Sequence, residues 1–285
     1  MEIEALYHEY KTPLFSLAYR MLGSVMDAED VVQDAFLSYD QLPDRSAIRN
    51  ERAYLYKIVT NRCLDLLRSS ARKRELYVGP WLPEPLIDNG SIDPSDEYLQ
   101  RESISTAYLL LLQQLGAVER AVFLLREIFH YSFGEISEIV GKSSVNCRQI
   151  FHRARNSIHF DPAEHPPLPI AEEKIKAFVN SMFEGNMRKL LELVGENVVM
   201  YSDGGGKAKA AQVPVAGFDL VFKLIQNLLK MYEGRFALDF LLVNGSPGLM
   251  LVTDDGDRHV YSFAFRHGKI RSIYSVANPD KLRHL

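Results

Sequence analysis

The length, composition and charge of the chain describe a soluble globular protein of two or three domains. It has 285 residues, of which 47% are hydrophobic and 25% charged, with a formal net charge of −4. Residues 1–165 hold 18 Lys and Arg against 24 Asp and Glu, and this acidic balance argues for a protein that meets DNA only with the help of a large partner, since a protein that binds DNA unaided is normally basic.

The first 77 residues are predicted to form a bundle of three helices. Apolar residues recur at helical spacing over residues 6–22, 27–39 and 51–75. Pro13 should kink the first helix or mark its true start, and Gly23 should end it. Asp27 is the expected N-cap of the second helix.

Polar groups on this bundle suit macromolecular partners. Asp30, Gln33 and Asp34 are expected on the outer face of the second helix. This face could bind another protein, or it could be an ordinary solvated side of the helix. The third helix offers groups that could stack with or hydrogen-bond unpaired bases, namely Tyr54, Tyr56, Asn61 and Arg62. The alternative for the two tyrosines is core packing. A basic cluster that could contact phosphates, or be a frayed helix end, follows at Arg68, Arg72, Lys73 and Arg74.

Residues 77–97 are predicted to be a non-helical linker, because Pro, Gly and Asp are frequent there. The segment nevertheless holds the chain's single tryptophan, Trp81, beside Leu82. A simple spacer has no need of exposed apolar groups. We therefore expect the sequence WLPEP, residues 81–85, to dock on another surface as an extended peptide. The alternative is a linker with one residue packed against a neighbouring helix.

Residues 118–158 are predicted to contain a helix-turn-helix. Helical segments at 118–129 and 133–140 are followed by a Gly-containing turn and by a helix that starts near Ser144. One face of this last helix is apolar, with Cys147, Ile150, Phe151, Ala154 and Ile158. The other face carries hydrogen-bond donors and cations, and no Asp or Glu occurs between Gly141 and His159. Such a helix suits the DNA major groove, the alternative being a surface helix with a basic face.

The remainder is predicted to be an α+β domain after a Pro-rich boundary at residues 161–169. Helices are expected at 170–183, 187–194 and 219–232, and strands at 197–202, 236–243, 248–253, 258–266 and 269–276. Hairpin turns separate the last four strands. Tyr201, Asp203, Asp257 and His259 are the acid–base candidates. Asp203 is expected on a flexible glycine loop and His259 in solvent, which argues against catalysis.

Several other site types are not expected. Cys63 and Cys147 fall on core-facing helix positions and are predicted to be buried thiols, not a disulfide or a metal site. The start of the chain is acidic and does not resemble a signal peptide. The longest apolar cluster, residues 108–112, is too short to span a membrane. We expect a cytoplasmic protein without a cofactor.

Three longer motifs identify a family resemblance. LAYRMLGSVMDAEDVVQDAFL, AYLYKIVTNRCLDLLRS and the helix-turn-helix together resemble an extracytoplasmic-function (ECF) sigma factor of the sigma-70 family of bacterial RNA polymerase. WLPEP, DGGGK at 203–207 and NPDKL at 278–282 are similar to motifs of the subgroup with a SnoaL-like, or NTF2-like, C-terminal extension. The resemblance implies a multidomain fold, with two all-α sigma domains before an α+β cone domain.

The resemblance also implies roles and domain limits. The core polymerase would bind Asp30, Gln33 and Asp34. The minus-10 promoter element would contact Asp44, Arg45, Asn50, Tyr54, Tyr56, Asn61 and Arg62. The minus-35 element would contact Ser144, Asn146, Arg148, Gln149, His152, Arg153 and Arg155. From the residues themselves, because an exposed Trp81 has no other explanation, we expect the WLPEP linker and the DGGGK loop to meet in a regulatory contact. The residues expected in regulatory contacts are Trp81, Leu82, Pro83, Glu84, Pro85, Asp203, Gly204, Gly205, Gly206, Lys207, Asn278, Pro279, Asp280, Lys281 and Leu282. The domain limits would be 1–77 for sigma domain two, 98–160 for sigma domain four and 170–285 for the SnoaL-like domain, with linkers at 78–97 and 161–169.

Two other classes of protein stay open from the residues alone. One is a dimeric transcription regulator with a ligand-sensing C-terminal domain, which would bind duplex DNA without the polymerase. The other is an enzyme fused to a DNA-binding module. A small-molecule ligand of the C-terminal domain is also left open, and a separate anti-sigma factor is neither required nor excluded.

Overall fold

A computed structural model describes residues 2–45, 48, 50–87, 104–158, 166–232 and 234–285. The described residues fall into two compact units. The first contains residues 2–75 and 108–158, and the second contains residues 76–87, 104–107 and 166–285, each with the gaps just given. The described part of the linker before residue 88 thus belongs to the second unit.

Three long helices begin the first unit. They are α1 (Glu2–Leu22), α2 (Val25–Asp40) and α3 (Glu51–Glu75). Their core includes Leu14, Met21 and Leu55, which are fully buried.

The ends of α1 and α2 correct two of the predictions. Helix α1 starts well before Pro13, so this proline does not mark its start. Gly23 ends α1 with a positive φ of 70°, as predicted. Ser24, not Asp27, is the N-cap of α2, since its hydroxyl accepts a hydrogen bond from the Asp27 amide at 3.1 Å. The earlier start lets Val25 face the core.

Four shorter helices follow among the described residues, and the last two form the helix-turn-helix. They are α4 (Thr106–Gln113), α5 (Ala117–Glu127), α6 (Phe133–Val140) and α7 (Ser144–Ser157). Ser132 and Glu135 form a reciprocal cap at the start of α6. Gly141, with φ of 67°, ends α6, and the Ser143 hydroxyl accepts a hydrogen bond from Asn146 to start α7. The predicted turn is confirmed, and four residues of the predicted apolar face are buried, namely Cys147, Ile150, Phe151 and Ala154, while Ile158 is half-buried and caps the end of α7.

The second unit is an α+β structure. Helices α8 (Leu168–Glu184) and α9 (Met187–Leu193) precede strands β1 (Val194–Asp203) and β2 (Val215–Ala216). Helix α10 (Phe218–Tyr232) leads to β3 (Phe236–Val243), β4 (Ser246–Thr253), β5 (Arg258–Arg266) and β6 (Lys269–Val276), and a short 3-10 helix follows at Pro279–Lys281. The sheet order is β2-β1-β6-β5-β4-β3, with only β1 and β6 parallel. Apolar side chains of the three helices pack on the sheet to form the core.

The predicted fold class is confirmed. The hairpin turns show why the positions of the strands could be predicted from the sequence. Asn244-Gly245 and His267-Gly268 all have positive φ, as a tight two-residue turn between antiparallel strands requires. Cys63 and Cys147 are buried and unbridged, as predicted. None of the described helices combines the length and apolar character that crossing a membrane demands.

Candidate functional site

The carboxylate of Asp203 is the centre of a buried polar site in the second unit. Asp203 is the last residue of β1 and has no solvent exposure. It accepts hydrogen bonds from the Tyr77 hydroxyl at 2.5 Å, the Leu82 amide at 2.8 Å and the Lys281 ammonium at 2.7 Å. Tyr77 and Leu82 belong to the linker and Lys281 to the C-terminal NPDKL sequence. Asp203 therefore joins three separate parts of the chain.

The ammonium of Lys281 is enclosed on its remaining sides by the linker. Its side chain is 7% exposed, and Nζ lies 3.9 Å from the centre of the Trp81 ring and 4.9 Å from that of Tyr77. Nζ also donates a hydrogen bond to the Leu82 carbonyl. A buried ion pair is stable only when its remaining polar atoms also form hydrogen bonds. Here atoms of the linker are those hydrogen-bond partners.

The hydroxyl of Tyr77 completes the site as a donor. Burial, together with the hydrogen bond to Asp203, raises the pKa of Tyr77, so the phenol stays protonated at neutral pH. Its oxygen in turn accepts a hydrogen bond from the Asn278 amide at 2.8 Å. Tyr77 is not among the predicted site residues, because no sequence motif distinguishes it from a spacer residue.

The glycine loop after Asp203 approaches the other two segments closely. Gly205 has φ of 57°, and a Cβ there would overlap the Asn278 side-chain amide. A Cβ on Gly206 would contact Val78 of the linker. Lys207 at the end of the loop forms an ion pair with Asp280, and this hydrogen bond lowers the pKa of Asp280. The structure thus brings the DGGGK loop, the WLPEP linker and the NPDKL sequence together.

Beyond Trp81 the linker continues to the end of β3. Leu82, Pro83, Glu84 and Pro85 are buried. The Leu86 amide donates to the Asn244 side chain at 2.7 Å, and the Asn244 amide donates to the Leu86 carbonyl at 2.7 Å. Ile87 forms a bridge with Val243 of β3. We call residues 77–87 the docked linker, because their described contacts within the second unit run along this whole length.

Asn244 also forms a hydrogen bond with Thr106, the first residue of α4. Its side-chain amide donates to the Thr106 hydroxyl at 3.3 Å, and the Ser262 hydroxyl donates to the same oxygen at 2.8 Å. Asn244 thus binds both Leu86 and Thr106, on either side of residues 88–103. Sequence reasoning missed this role because the Asn-Gly pair indicated only a turn.

Two acid–base candidates lie in environments that contradict the sequence expectation. Asp203 is not on a flexible loop, since it ends a strand and is fully buried. His259 does not face solvent. It is 6% exposed within β5, and its Nε2 lies 2.9 Å from the Tyr232 hydroxyl. Burial lowers the pKa of His259. Tyr201 stacks on Tyr274.

The predicted polymerase contacts lie on the outer side of α2. Asp30, Gln33 and Asp34 are all exposed. Asp34 pairs with Arg62 of α3 at 3.2 Å, a surface ion pair that solvent screens. The face is therefore available to a protein partner.

The predicted minus-10 residues do not share one environment. Asp44, Asn50, Asn61 and Arg62 are exposed, Tyr54 and Arg45 are half-buried, and Arg45 pairs with Asp40 at 2.6 Å. Tyr56 is only 2% exposed, so in this structure it cannot stack on a base, and core packing, the alternative, describes it. The side chains of Arg72, Lys73 and Arg74 lie outside the described residues.

Tyr56 packs on the loop between α5 and α6, inside the first unit. Its ring centre lies 5.3 Å from that of Phe129 and 5.1 Å from that of Tyr131. Arg120 of α5 donates to the Met21 carbonyl at the end of α1. The three N-terminal helices and the helix-turn-helix are thus in direct contact.

The predicted minus-35 residues are displayed on the outer face of α7. Asn146, Arg148, Gln149, His152, Arg153 and Arg155 are exposed, and Ser144 is half-buried. Arg153 lies 3.9 Å from a Glu119 oxygen, and the Arg148 guanidinium lies 5.6 Å from the Phe133 ring centre. The helix presents donors to solvent along its length, as readout of base edges requires.

Comparison with known proteins matches the three N-terminal helices and the helix-turn-helix segment to two regions of one family. Residues 6–73 match sigma-70 region 2, and residues 105–158 match sigma-70 region 4. The chain is 35% identical to the ECF RNA polymerase sigma factor SigJ of Mycobacterium tuberculosis over 98% of this chain and 92% of SigJ. It is 29% identical to the probable ECF sigma factor SigI of the same species over 98% of this chain and 94% of SigI. The crystal structure of SigJ superposes with a TM-score of 0.79 at 30% identity, covering 98% of both chains. The chain belongs to the ECF sigma factors of the sigma-70 family, in the subgroup with a SnoaL-like C-terminal domain.

Proposed function

We propose that the chain directs bacterial core RNA polymerase to promoters in the cytoplasm, and that its second unit regulates this activity in cis. As a sigma factor with regions 2 and 4, it binds core polymerase and promoter DNA and initiates transcription. The buried Asp203–Lys281 pair, closed by linker residues, is the observation that carries the regulatory part. A catalytic role for Asp203 is not proposed, because its carboxylate is occupied by the linker.

The closed arrangement of the first unit supports a regulatory step. The minus-35 and minus-10 elements are 25 base pairs apart, which is about 85 Å of B-form DNA at 3.4 Å per base pair. A compact unit of roughly 140 residues has a radius of gyration of about 14 Å. Regions 2 and 4, in contact through Tyr56 and Phe129, must therefore separate before both elements are bound.

The docked linker would limit that separation. Eleven extended residues span about 36–40 Å at 3.3–3.6 Å each. While residues 77–87 are held on the second unit, this length cannot contribute to the reach of the segment that connects regions 2 and 4. Asn244 also holds Thr106, at the start of region 4. Release of the linker from Asp203 would restore this reach, and the second unit would thereby favour the closed state over the promoter-bound state.

In vitro transcription with core polymerase tests both parts of the proposal. The full-length chain should yield transcripts only with core polymerase, and W81A should change the yield several-fold by releasing the linker. F240A, which also removes a partly exposed aromatic ring from the second unit, is the matched control and should not change it. Binding to duplex DNA as a palindromic footprint without polymerase would favour the dimeric regulator instead.

A further inference from the structure

The interior of the second unit contains an apolar cavity of about 70 Å³. It lies between α8, α10 and the sheet, and Met182, Leu229, Leu251 and Phe263 are among its lining residues. Among the lining residues that the structure describes, only Tyr232 and Tyr261 carry a polar side-chain atom. An apolar cavity of this kind favours a hydrocarbon group, because its lining offers few hydrogen-bond partners to a polar ligand.

A cationic cleft of about 600 Å³ lies beside this cavity, and Tyr232 lines both. The described residues of the cleft include four cations, Lys207, Lys209, Arg235 and Arg258, against the carboxylates Asp255 and Asp257. Within the described part of the chain, Lys209 and Arg235 have no carboxylate partner. The cleft therefore has an excess of positive charge available to an anion.

A hydroxyl–imidazole pair marks the junction of the two spaces. The Tyr232 hydroxyl is 2.9 Å from His259 Nε2, and His259 also lines the cleft. Because burial lowers the pKa of His259, the ring is neutral at pH 7. The positive charge of the site thus comes from the lysines and arginines, while the junction offers neutral hydrogen-bonding groups.

We infer that this composite site binds an aliphatic monocarboxylic acid, with its chain in the cavity and its carboxylate in the cleft. A neutral hydrocarbon would leave the cations unused, an amine would be repelled by them, and a phosphate without a chain would leave the cavity empty. The lining fits one apolar chain that ends in one anionic group.

The acid would also reach the regulatory site, an extension that rests on the proposed function. Lys207 both lines the cleft and pairs with Asp280, and Asp280 directly precedes Lys281. A carboxylate in the cleft competes with Asp280 for Lys207 and loosens the segment that holds Asp203. Trp81, the only tryptophan, lies against Lys281 and reports this change through its fluorescence.

Titration calorimetry of the full-length protein with butanoate, hexanoate and octanoate tests the binding. Each added methylene should tighten binding about fourfold until the cavity is full, since burying one contributes about 0.8 kcal/mol. Octan-1-ol and octylamine should bind at least tenfold more weakly than octanoate. The double variant K209Q/R235Q should weaken octanoate about tenfold, L229W should abolish binding, and K223Q, on the exposed side of α10, should not alter it.

Failure of octanoate to bind, equal binding of octan-1-ol, or unchanged binding by L229W would overturn the inference. If L229W does not fold, the chain-length series on the unsubstituted protein carries the same test. Octanoate binding without a change in Trp81 emission would refute the coupling alone. The regulatory proposal is tested separately, by W81A in transcription without any acid.

Discussion

Replacing Asp203 with Asn tests the docking of the linker most sharply. The substitution keeps the shape of the side chain but leaves the Lys281 ammonium, 7% exposed, without its counter-charge. Removing one partner of a buried ion pair typically costs about 3–5 kcal/mol. The protein can avoid most of this cost by releasing residues 77–87, which lets water reach Lys281.

The expected result of D203N is therefore an undocked linker in a folded protein. A change of about 3 kcal/mol shifts the docked-to-released ratio by roughly 150-fold. Trp81 emission should move to longer wavelength, and the Leu82 and Leu86 amides should lose hydrogen-exchange protection. D239N, which neutralises an exposed carboxylate on β3, is the matched control. Unchanged emission and unchanged protection in D203N would refute the assignment of Asp203 as the anchor of the linker.

Three further outcomes follow from single side chains. G205A should lower the melting temperature and loosen the linker, because its Cβ would overlap Asn278; G256A, also at positive φ but with open space around it, should cost only backbone strain of about 1 kcal/mol. H259Q should flatten the pH dependence of stability as the pH falls below about 7. The pKa of His259 is lowered by burial, so its contribution is present above the unfolded pKa of about 6.5 and is lost as the pH falls towards the folded value; an unchanged slope would contradict this. R148A should weaken minus-35-dependent transcription about tenfold, corresponding to about 1–3 kcal/mol for a base contact, and should relax specificity at one position; a uniform loss on every sequence would indicate a phosphate contact.

Local patterns predicted most of the secondary structure. The four C-terminal strands follow from hairpin turns at Asn244-Gly245 and His267-Gly268, where positive φ restricts the residue choice. The recognition helix follows from a cap at Ser143 and an apolar stripe that is buried as expected. The cap of α2 was misplaced because two competent capping residues, Ser24 and Asp27, lie three positions apart, and the burial of Val25 decides between them.

The features that could not be predicted from the sequence depend on contacts between residues far apart in the chain. A run of three glycines after Asp203 indicates flexibility, but here the glycines permit close approach by Asn278 and Val78. Tyr56 lies on the predicted nucleic-acid helix, yet Phe129 and Tyr131 from distant sequence bury it. The resemblance to a family pointed to WLPEP, DGGGK and NPDKL, while the atoms that join them, including Tyr77, are visible only in the fold.

Transcription from a library of random DNA by core polymerase and the full-length chain tests the central claim most directly. Sequencing of the transcribed templates should show two enriched blocks, near minus 35 and minus 10, that depend on both proteins. D203N should change the transcript yield several-fold, while D239N should not. No enrichment with core polymerase, or one palindrome bound without it, would contradict the account.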